Sequence, residues 1–483
     1  MAPRMNQKQT PDVDAAAAIE IWNAGVEAVD AEELVRDAIS IRSDSLVVAG
    51  ETYDLRQLKT IVVIGFGKCS GAMAAGLESA VKELRGVELS GLVIVPEGQT
   101  ATSERVTTVI GRSRASNFPT ETVVERTKQM LEMITGVDED ALIVAMVSGG
   151  GSALLERPLV PLKDLIALSQ SLSRCGASIE SLNTVRRALS SVKAGGLARY
   201  VLEHSRASMV GLIISDVIGD ALGMVASGPT VISAESITER RIAAREIITK
   251  FELQDAHRWI YNWLDQEVES LPPPDSVARI KNHLIANNST AVDAARRKAA
   301  DLGFLSGPIG NKSVGAIDAN RDVNEVAEDW VELAMKVIGD RVSADCAGTI
   351  SAGQATAFVA GGEPTVVLCD SPGRGGRNLQ LTALVLLKLS ERGVEPRLPI
   401  AFVSGATDGE DGSATVAGAC FDSEMLRNVL RTSALRGGLQ KAVLTNDCDA
   451  FFQRHGGRVS PPAVLTNVCD LHVMLIGGLA KET

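Results

Sequence analysis

The first residues whose spacing carries chemistry are Ser148-Gly149-Gly150-Gly151-Ser152, which cut short an apolar run at 142–147. Three successive glycines let the backbone turn tightly, so that consecutive N–H groups point at one anion. A helix starting just beyond them would add its positive end to that pull. Lys68 stands in a second glycine turn, Gly65-Phe66-Gly67-Lys68-Cys69-Ser70-Gly71, behind the apolar residues 60–64. A lysine in that setting reaches a phosphate. Asp216 and Asp220 flank a turn after the apolar residues 210–215, and two carboxylates so placed suit Mg2+, which takes few protein ligands and keeps waters and phosphate oxygens. Asn183, Arg186 and Arg187 fall at i, i+3 and i+4 and give one helix face a polar, cationic character. Taken singly, each feature also fits an ordinary turn or a solvated face.

Recurrence favours chemistry. Five apolar strands, ending at Ile64, Val147, Ser215, Leu368 and Ser404, each run into a loop rich in glycine with Lys, Arg, Asp or Ser. The last two loops hold Gly373-Arg374-Gly375-Gly376-Arg377-Asn378 and Thr407-Asp408-Gly409-Glu410-Asp411-Gly412. In open α/β sheets ligands bind beyond the carboxyl ends of the strands. Mobile glycines, cations and carboxylates gathered there are what phosphoryl transfer asks for, since positioning and charge stabilisation do most of the work. Apolar residues at helical spacing from Val13 read as two helices with a break near Asp30 or Ala31, and helices expected to alternate with these strands cover 72–84, 120–134, 163–174, 181–193, 239–251, 291–302, 323–338 and 379–389. A short strand is expected at 46–53. Residues 361–368 read as a strand, and 284–288 as the start of a new α/β segment.

Composition bounds the reading. A chain of 483 residues with 45% apolar and only 3% aromatic content fits two or three Ala/Val/Leu-packed α/β domains. A net charge of −12 argues against nucleic acid or an anionic membrane as partner. The seven cysteines are scattered without CxxC, which reads as reduced thiols in a cytoplasmic protein. No apolar run approaches the ~18 residues of a membrane span. Residues 1–12 read as disordered, 13–270 as a Rossmann-like domain, 271–283 as a linker around Leu271-Pro272-Pro273-Pro274, and 284–483 as a second α/β domain.

At this point the motifs match a known family. GFGKCSGAM from Gly65, SGGGSALL from Ser148, CGASIESLNTVRRALSSVKAGGLA from Cys175, ISDVIGDALGMVASGPTV from Ile214, GGEPTV from Gly361, GRGGRN from Gly373 and TDGEDG from Thr407 follow one another in order. With them the chain resembles the class II glycerate kinases, whose carboxy-terminal region carries the MOFRL motif. The resemblance implies two α/β domains with parallel-rich sheets and an active-site cleft between them. It also implies ATP with Mg2+, and transfer of the γ-phosphoryl to the 2-hydroxyl of D-glycerate. Lys68 and Arg377 are the implied catalytic cations. Gly67, Ser148, Gly149, Gly150, Gly151 and Ser152 would cradle phosphate or substrate carboxylate, and Asn183, Arg186, Arg374, Asn378 and Glu363 would bind substrate or phosphate. Asp216, Asp220 and Asp408 are the metal candidates. The partners implied are the small acid and the nucleotide, with a homo-oligomer possible.

The chain departs from the family pattern in places. Gly219-Asp220-Ala221 stands for GDD, and Lys193-Ala194-Gly195-Gly196 for KGGR. Ala188 takes a position often held by His, and Ser413–Ala419 lacks an aspartate usual after TDGEDG. Residues 461–468 replace two glycines with Pro462 and Leu465. These changes leave room for another small hydroxy acid or for an inactive relative. The competing reading is an NAD(P)H-dependent hydroxypyruvate reductase. The glycines at 65, 67 and 71 give G-x-G-x-x-x-G, one residue off the dinucleotide fingerprint.

Overall fold

The computed structural model describes residues 11–99, 103–113, 116–266, 277–306, 321–346, 354–394, 398–464 and 466–478. The chain divides into two compact units, one of Ala31–Ala286 and one of Met1–Asp30 with Asn287–Thr483.

The Ala31–Ala286 unit begins with a helix, Ala31–Asp37, and an antiparallel meander of β1 (Ile39–Arg42), β2 (Ser45–Val48) and β3 (Glu51–Asp54). The single strand expected at 46–53 is therefore two, folded about Ala49 and Gly50, both at positive φ. Its main sheet has six strands: β4 (Thr60–Phe66), β5 (Glu88–Pro96), β6 (Val106–Arg112), β7 (Ala141–Val147), β8 (Ser208–Ile214) and β9 (Ile280–Ala286). The order is β6-β5-β4-β7-β8-β9, every pair parallel. Such a sheet is covered on both faces, which is why β4, β7 and β8 are continuous apolar runs without alternation. The unit's helices start where local chemistry allows. Thr120 Oγ1 accepts the Val123 N–H at 3.2 Å to open helix Glu121–Ile134, and Ser236 with Glu239 forms a capping box for Ile237–Lys250.

The second unit carries β10 (Leu305–Ser306), β11 (Thr356–Gly362), β12 (Ile400–Ala406), β13 (Gly418–Asp422), β14 (Arg458–Val459) and β15 (Asp470–Ile476) in the order β10-β11-β15-β12-β13-β14. Only β10 and β11 run parallel; the other pairs are antiparallel. The expectation of parallel-rich sheets thus holds for the first unit and is corrected for the second. No helix crosses back between β12 and β13, so β13 must return antiparallel, and the last strand inserts between β11 and β12. Period-two alternation divides its residues between two cores. Phe358, Phe402, Phe421, Met474 and Ile476 pack with helices Val323–Cys346 and Arg377–Glu391. Val359, Val403, Leu471, Val473 and Leu475 pack on the other face with helices Ala15–Glu27 and Asn288–Asp301.

Two boundaries move as a result. Helix Ala15–Glu27, expected within a 13–270 domain, belongs to the second unit. Trp22 donates from Nε1 to the Gly405 carbonyl at 3.3 Å, and a Cβ on Gly405 would lie 2.8 Å from that indole. Residues 280–286, expected as linker and the start of a new segment, form the last strand of the first sheet. Of the expected disordered stretch and linker, 1–10 and 271–276 lie outside the described residues. The strand expected at 361–368 lies earlier, at Thr356–Gly362.

Candidate functional site

In the parallel sheet the chain moves outward from β4 through β5 to β6, then returns to place β7 on the other side of β4. That reversal makes a switch point between β4 and β7, where open α/β sheets bind ligands. Register brings their ends together. Phe66 pairs with Val147, and Val147 with Ile213. The loops bearing Lys68, the three glycines and Asp216 therefore leave the same edge, side by side.

Contacts there are backbone-close. Gly67 sits at φ +134°, and a Cβ on it would lie 2.2 Å from Ser148 Oγ. Only glycine permits that approach. Lys68 N–H donates to the Gly149 carbonyl at 2.9 Å, and Cys69 N–H to Ser148 Oγ at 3.2 Å. Gly150, at φ +74°, is flanked by two cations. A Cβ there would meet Lys68 Cγ at 3.3 Å and Arg112 Nη2 at 3.6 Å. The Asp216 carboxylate lies against Gly149, its Oδ2 2.3 Å from a built Cβ. Ser148 is fully buried, and Ser152 Oγ bonds Ser227 Oγ at 2.8 Å, so both serine hydroxyls knit loops together. The turn after Gly150 is one 3-10 turn, Gly151–Ala153, and adds no long helix dipole. Cys69 beside it is a poor nucleophile: burial pushes its thiol up to about 12.

Arg112 escaped the sequence reading. It ends β6, is only 5% exposed, and donates from Nη1 to the carbonyls of Ser113 and Ser116. The signal was present, a charged residue at a strand's carboxyl end, but not in a glycine-rich loop.

The cationic helix stripe is divided. The helix is Ile179–Ala188, shorter than expected. Arg186 turns onto the Phe118 ring at 5.4 Å and toward Ser169 Oγ at 3.5 Å, with burial lowering its pKa. Arg187 faces Glu235 at 3.4 Å and Met224 in the loop beyond β8. Asn183 is half-buried on the same helix. Lys193, expected on that helix, lies beyond it, buried against Glu156 at 2.5 Å and the Leu155 carbonyl at 2.9 Å. Asp220 sits in the Gly219 turn at φ +52°.

The second unit assembles its candidates by register too. Asp470, the first residue of β15, pairs with Gly362 at the end of β11 and with Ala406 at the end of β12. Glu363, Asp408 and Asp470 therefore leave one sheet edge. Arg377, the first residue of helix Arg377–Glu391, is gripped there. Its Nε and Nη2 bind the two oxygens of Asp470 at 2.5 and 3.1 Å, and Nη1 pairs with Glu363. Burial works against the guanidinium's charge, but Asp470 and Glu363 outweigh it and hold its pKa above the usual value. Burial raises the Glu363 carboxyl, partly offset by Arg377. Arg374 reaches Asp449, itself buried and also held by Arg458. Asp408 accepts the Glu410 N–H at 3.1 Å.

Asn378 turns inward from the helix start. It was expected at the ligand, yet it is fully buried and its amide is spent on Ser404 and Asp411. The altered segment after Ser460 packs on the TDGEDG loop, with Pro461 2.9 Å and Pro462 3.0 Å from a Cβ built on Gly409.

Cations facing glycine turns at a switch point define a class: α/β enzymes that handle phosphate. Comparison with known proteins carries this further. Residues 17–265 match the domain of unknown function DUF4147, and residues 356–470 match the MOFRL family. A glycerate kinase of Danio rerio is 33% identical, covering 94% of this chain and 96% of its own. A putative hydroxypyruvate reductase of Agrobacterium vitis is 31% identical, with 94% and 96% covered. The crystal structure of a glycerate kinase from Thermotoga maritima superposes with a TM-score of 0.73 at 25% identity, covering 96% of this chain and 99% of that one. The chain belongs to the glycerate kinase family.

Proposed function

We propose that this protein transfers the γ-phosphoryl of ATP to glycerate, at the 2-hydroxyl of the D-isomer. The observation that carries the reading is the meeting of Lys68 and Gly150 at the switch point of the parallel sheet. In this account the backbone around Gly150 leaves room for an anion, and Lys68 places positive charge beside it. Arg377 is the second cation, and its three-point hold by Asp470 and Glu363 lowers the entropy lost in aligning it. Glu363 and Asp408 orient the acceptor hydroxyl.

The proposed magnesium position is beyond β8. The Asp216 carboxylate lies against Gly149, in the loop that Lys68 touches. Among the described residues no group of three or more His, Cys, Asp or Glu side chains could hold a metal ion. In this proposal Asp216, with Asp220 four residues on, would hold Mg2+ with nucleotide oxygens and water supplying most of its ligands. The bound ion would supply charge neutralisation on the phosphates.

A second reading has one observation in its favour. The order β6-β5-β4-β7-β8-β9 is that of dinucleotide-binding sheets. Against it, the close approach that Gly67 allows is already taken by Ser148. The test is ADP formation from ATP, Mg2+ and D-glycerate, with NMR of the product to locate the phosphate, beside an assay of NADH oxidation by hydroxypyruvate. Glycerate-dependent ADP with 2-phosphoglycerate as product is expected. NADH oxidation without ADP formation would overturn the proposal.

A further inference from the structure

Helix Arg377–Glu391 begins without a cap of its own. The residue before it, Gly376, offers no side chain, and the first-turn N–H groups of a helix need acceptors. They find them 33 residues along the chain. Asp411, 1% exposed, accepts the Asn378 N–H on Oδ1 at 3.0 Å and the Leu379 N–H on Oδ2 at 2.8 Å. The Asn378 side-chain amide adds a third N–H at 3.3 Å. Gly376 must be glycine for this, because its Cβ would lie 2.3 Å from Asp411 Oδ1.

The network behind Asn378 runs one way. Ser404 Oγ donates its only proton to Asn378 Oδ1 at 2.6 Å, so it must accept from His472 Nδ1–H at 2.8 Å. The sequence of donors is His472, Ser404, Asn378, and the last acceptor is Asp411. All four side chains are buried. A carboxylate satisfies the three N–H donors, whereas a carboxylic acid would turn one of the accepting oxygens into an O–H donor. His472, two residues along β15 from Asp470, ties the relay to the strand that grips Arg377.

We propose that Asp411 is a positioning residue for phosphoryl transfer: its carboxylate fixes the first turn of helix Arg377–Glu391, and with it the backbone from which Arg377 reaches Asp470 and Glu363. This rests on the reading of Arg377 as catalytic. The position is one where ionisation matters. Burial pushes the Asp411 carboxyl up to about 7 against the lowering effect of the Asn378 and Leu379 N–H bonds, with Asp470 raising it further and Arg377 lowering it. The other groups facing this region are Glu363, paired to Arg377, and Asp408 in the same loop. Cys448 is kept a thiol by burial, and His472 is pushed down to about 4 and stays neutral. Through Asp411, turnover falls as pH drops through about 7.

The experiment is kcat against pH at saturating ATP and D-glycerate for wild type, Asp411→Asn and Arg377→Ala, with KM for glycerate measured in parallel. For Asp411→Asn, kcat is expected to fall about 10- to 100-fold, the range for a small misplacement of a reacting group, with KM nearly unchanged. The acid limb near pH 7 should be gone. Wild-type kcat, or an unchanged acid limb, in a folded Asp411→Asn protein overturns the inference. If that variant does not fold, wild-type amide exchange decides: Asn378 and Leu379 should lose protection below pH 7 after correction for the intrinsic rate. Constant protection overturns the inference. An active Arg377→Ala enzyme would instead remove the reading beneath it.

Discussion

The two units build their candidate functional edges by different means. At the parallel sheet the edge is made of backbone. Gly67, Gly149 and Gly150 let loops approach so closely that a methyl group would collide or crowd, and Lys68 and Arg112 lie alongside. In the mixed sheet the edge is made of charge. Arg377 is held by Asp470 and Glu363, Arg374 by Asp449, and the helix start that elsewhere receives phosphate is filled by Asp411. The first design relies on glycines that leave side chains out of closely packed loops, and the second spends carboxylates to aim a guanidinium. One should therefore break under added volume, the other under lost charge.

The largest effect expected is loss of the guanidinium. Arg377→Ala should lower kcat by about 10²–10³-fold, the range for removing one charge-stabilising donor, and should leave Glu363 and Asp470 facing each other unneutralised. Steady-state kinetics with a circular-dichroism control checks it. Asp470→Asn keeps the shape and removes half the grip, so a fall of about tenfold in kcat is expected. Near-wild-type turnover would show that the bidentate pair is not what aims Arg377.

Added volume is the complementary test. Gly67→Ala puts a Cβ on Ser148 in a backbone region that side chains rarely adopt. A loss of about 1–3 kcal/mol from backbone strain is expected, read by denaturant unfolding, together with reduced turnover. Gly86→Ala is the control: it is also at positive φ but has nothing within 4 Å of the new methyl. It should cost less, about 1 kcal/mol, and spare activity.

The smallest effect is in stability against pH. Burial lowers the His472 pKa to about 4. The unfolded chain therefore binds more protons at this site between about 6.5 and 4, and the stability it contributes is lost as pH falls through that window. Asp411 works with the opposite sign. Its folded pKa is raised, so its contribution is present below the unfolded carboxylate value and is lost as pH rises through about 7. Unfolding of His472→Gln across pH 4–7 should show a shallower loss toward acid than wild type, and an identical slope would contradict the assignment.

What the sequence made legible follows the range of the signal. A continuous apolar run ending in glycine is a local pattern, so β4, β7, β8 and their loops could be read directly, as could helices such as Glu121–Ile134 and Leu162–Arg174. The insertion of β15 between β11 and β12 is set by pairing across more than 60 residues of chain, and no local period encodes it. For the same reason helix Ala15–Glu27 could be read as a helix, but not that Trp22 seals it to Gly405. Side-chain direction was the other gap. Asn378 in the GRGGRN motif looked ligand-facing, and only the distant Asp411 and Ser404 turn it inward. Arg186 and Arg187 were one cationic stripe in sequence, and Phe118 and Glu235 draw them apart.

The central claim is that Lys68 at the switch point drives phosphoryl transfer to glycerate. The most direct measurement is glycerate-dependent ADP release by wild type and by Lys68→Ala at saturating ATP and Mg2+. The account predicts steady turnover in the wild type and a loss of at least about 10²-fold in a folded variant. ADP release that needs glycerate yet survives removal of Lys68 would contradict it.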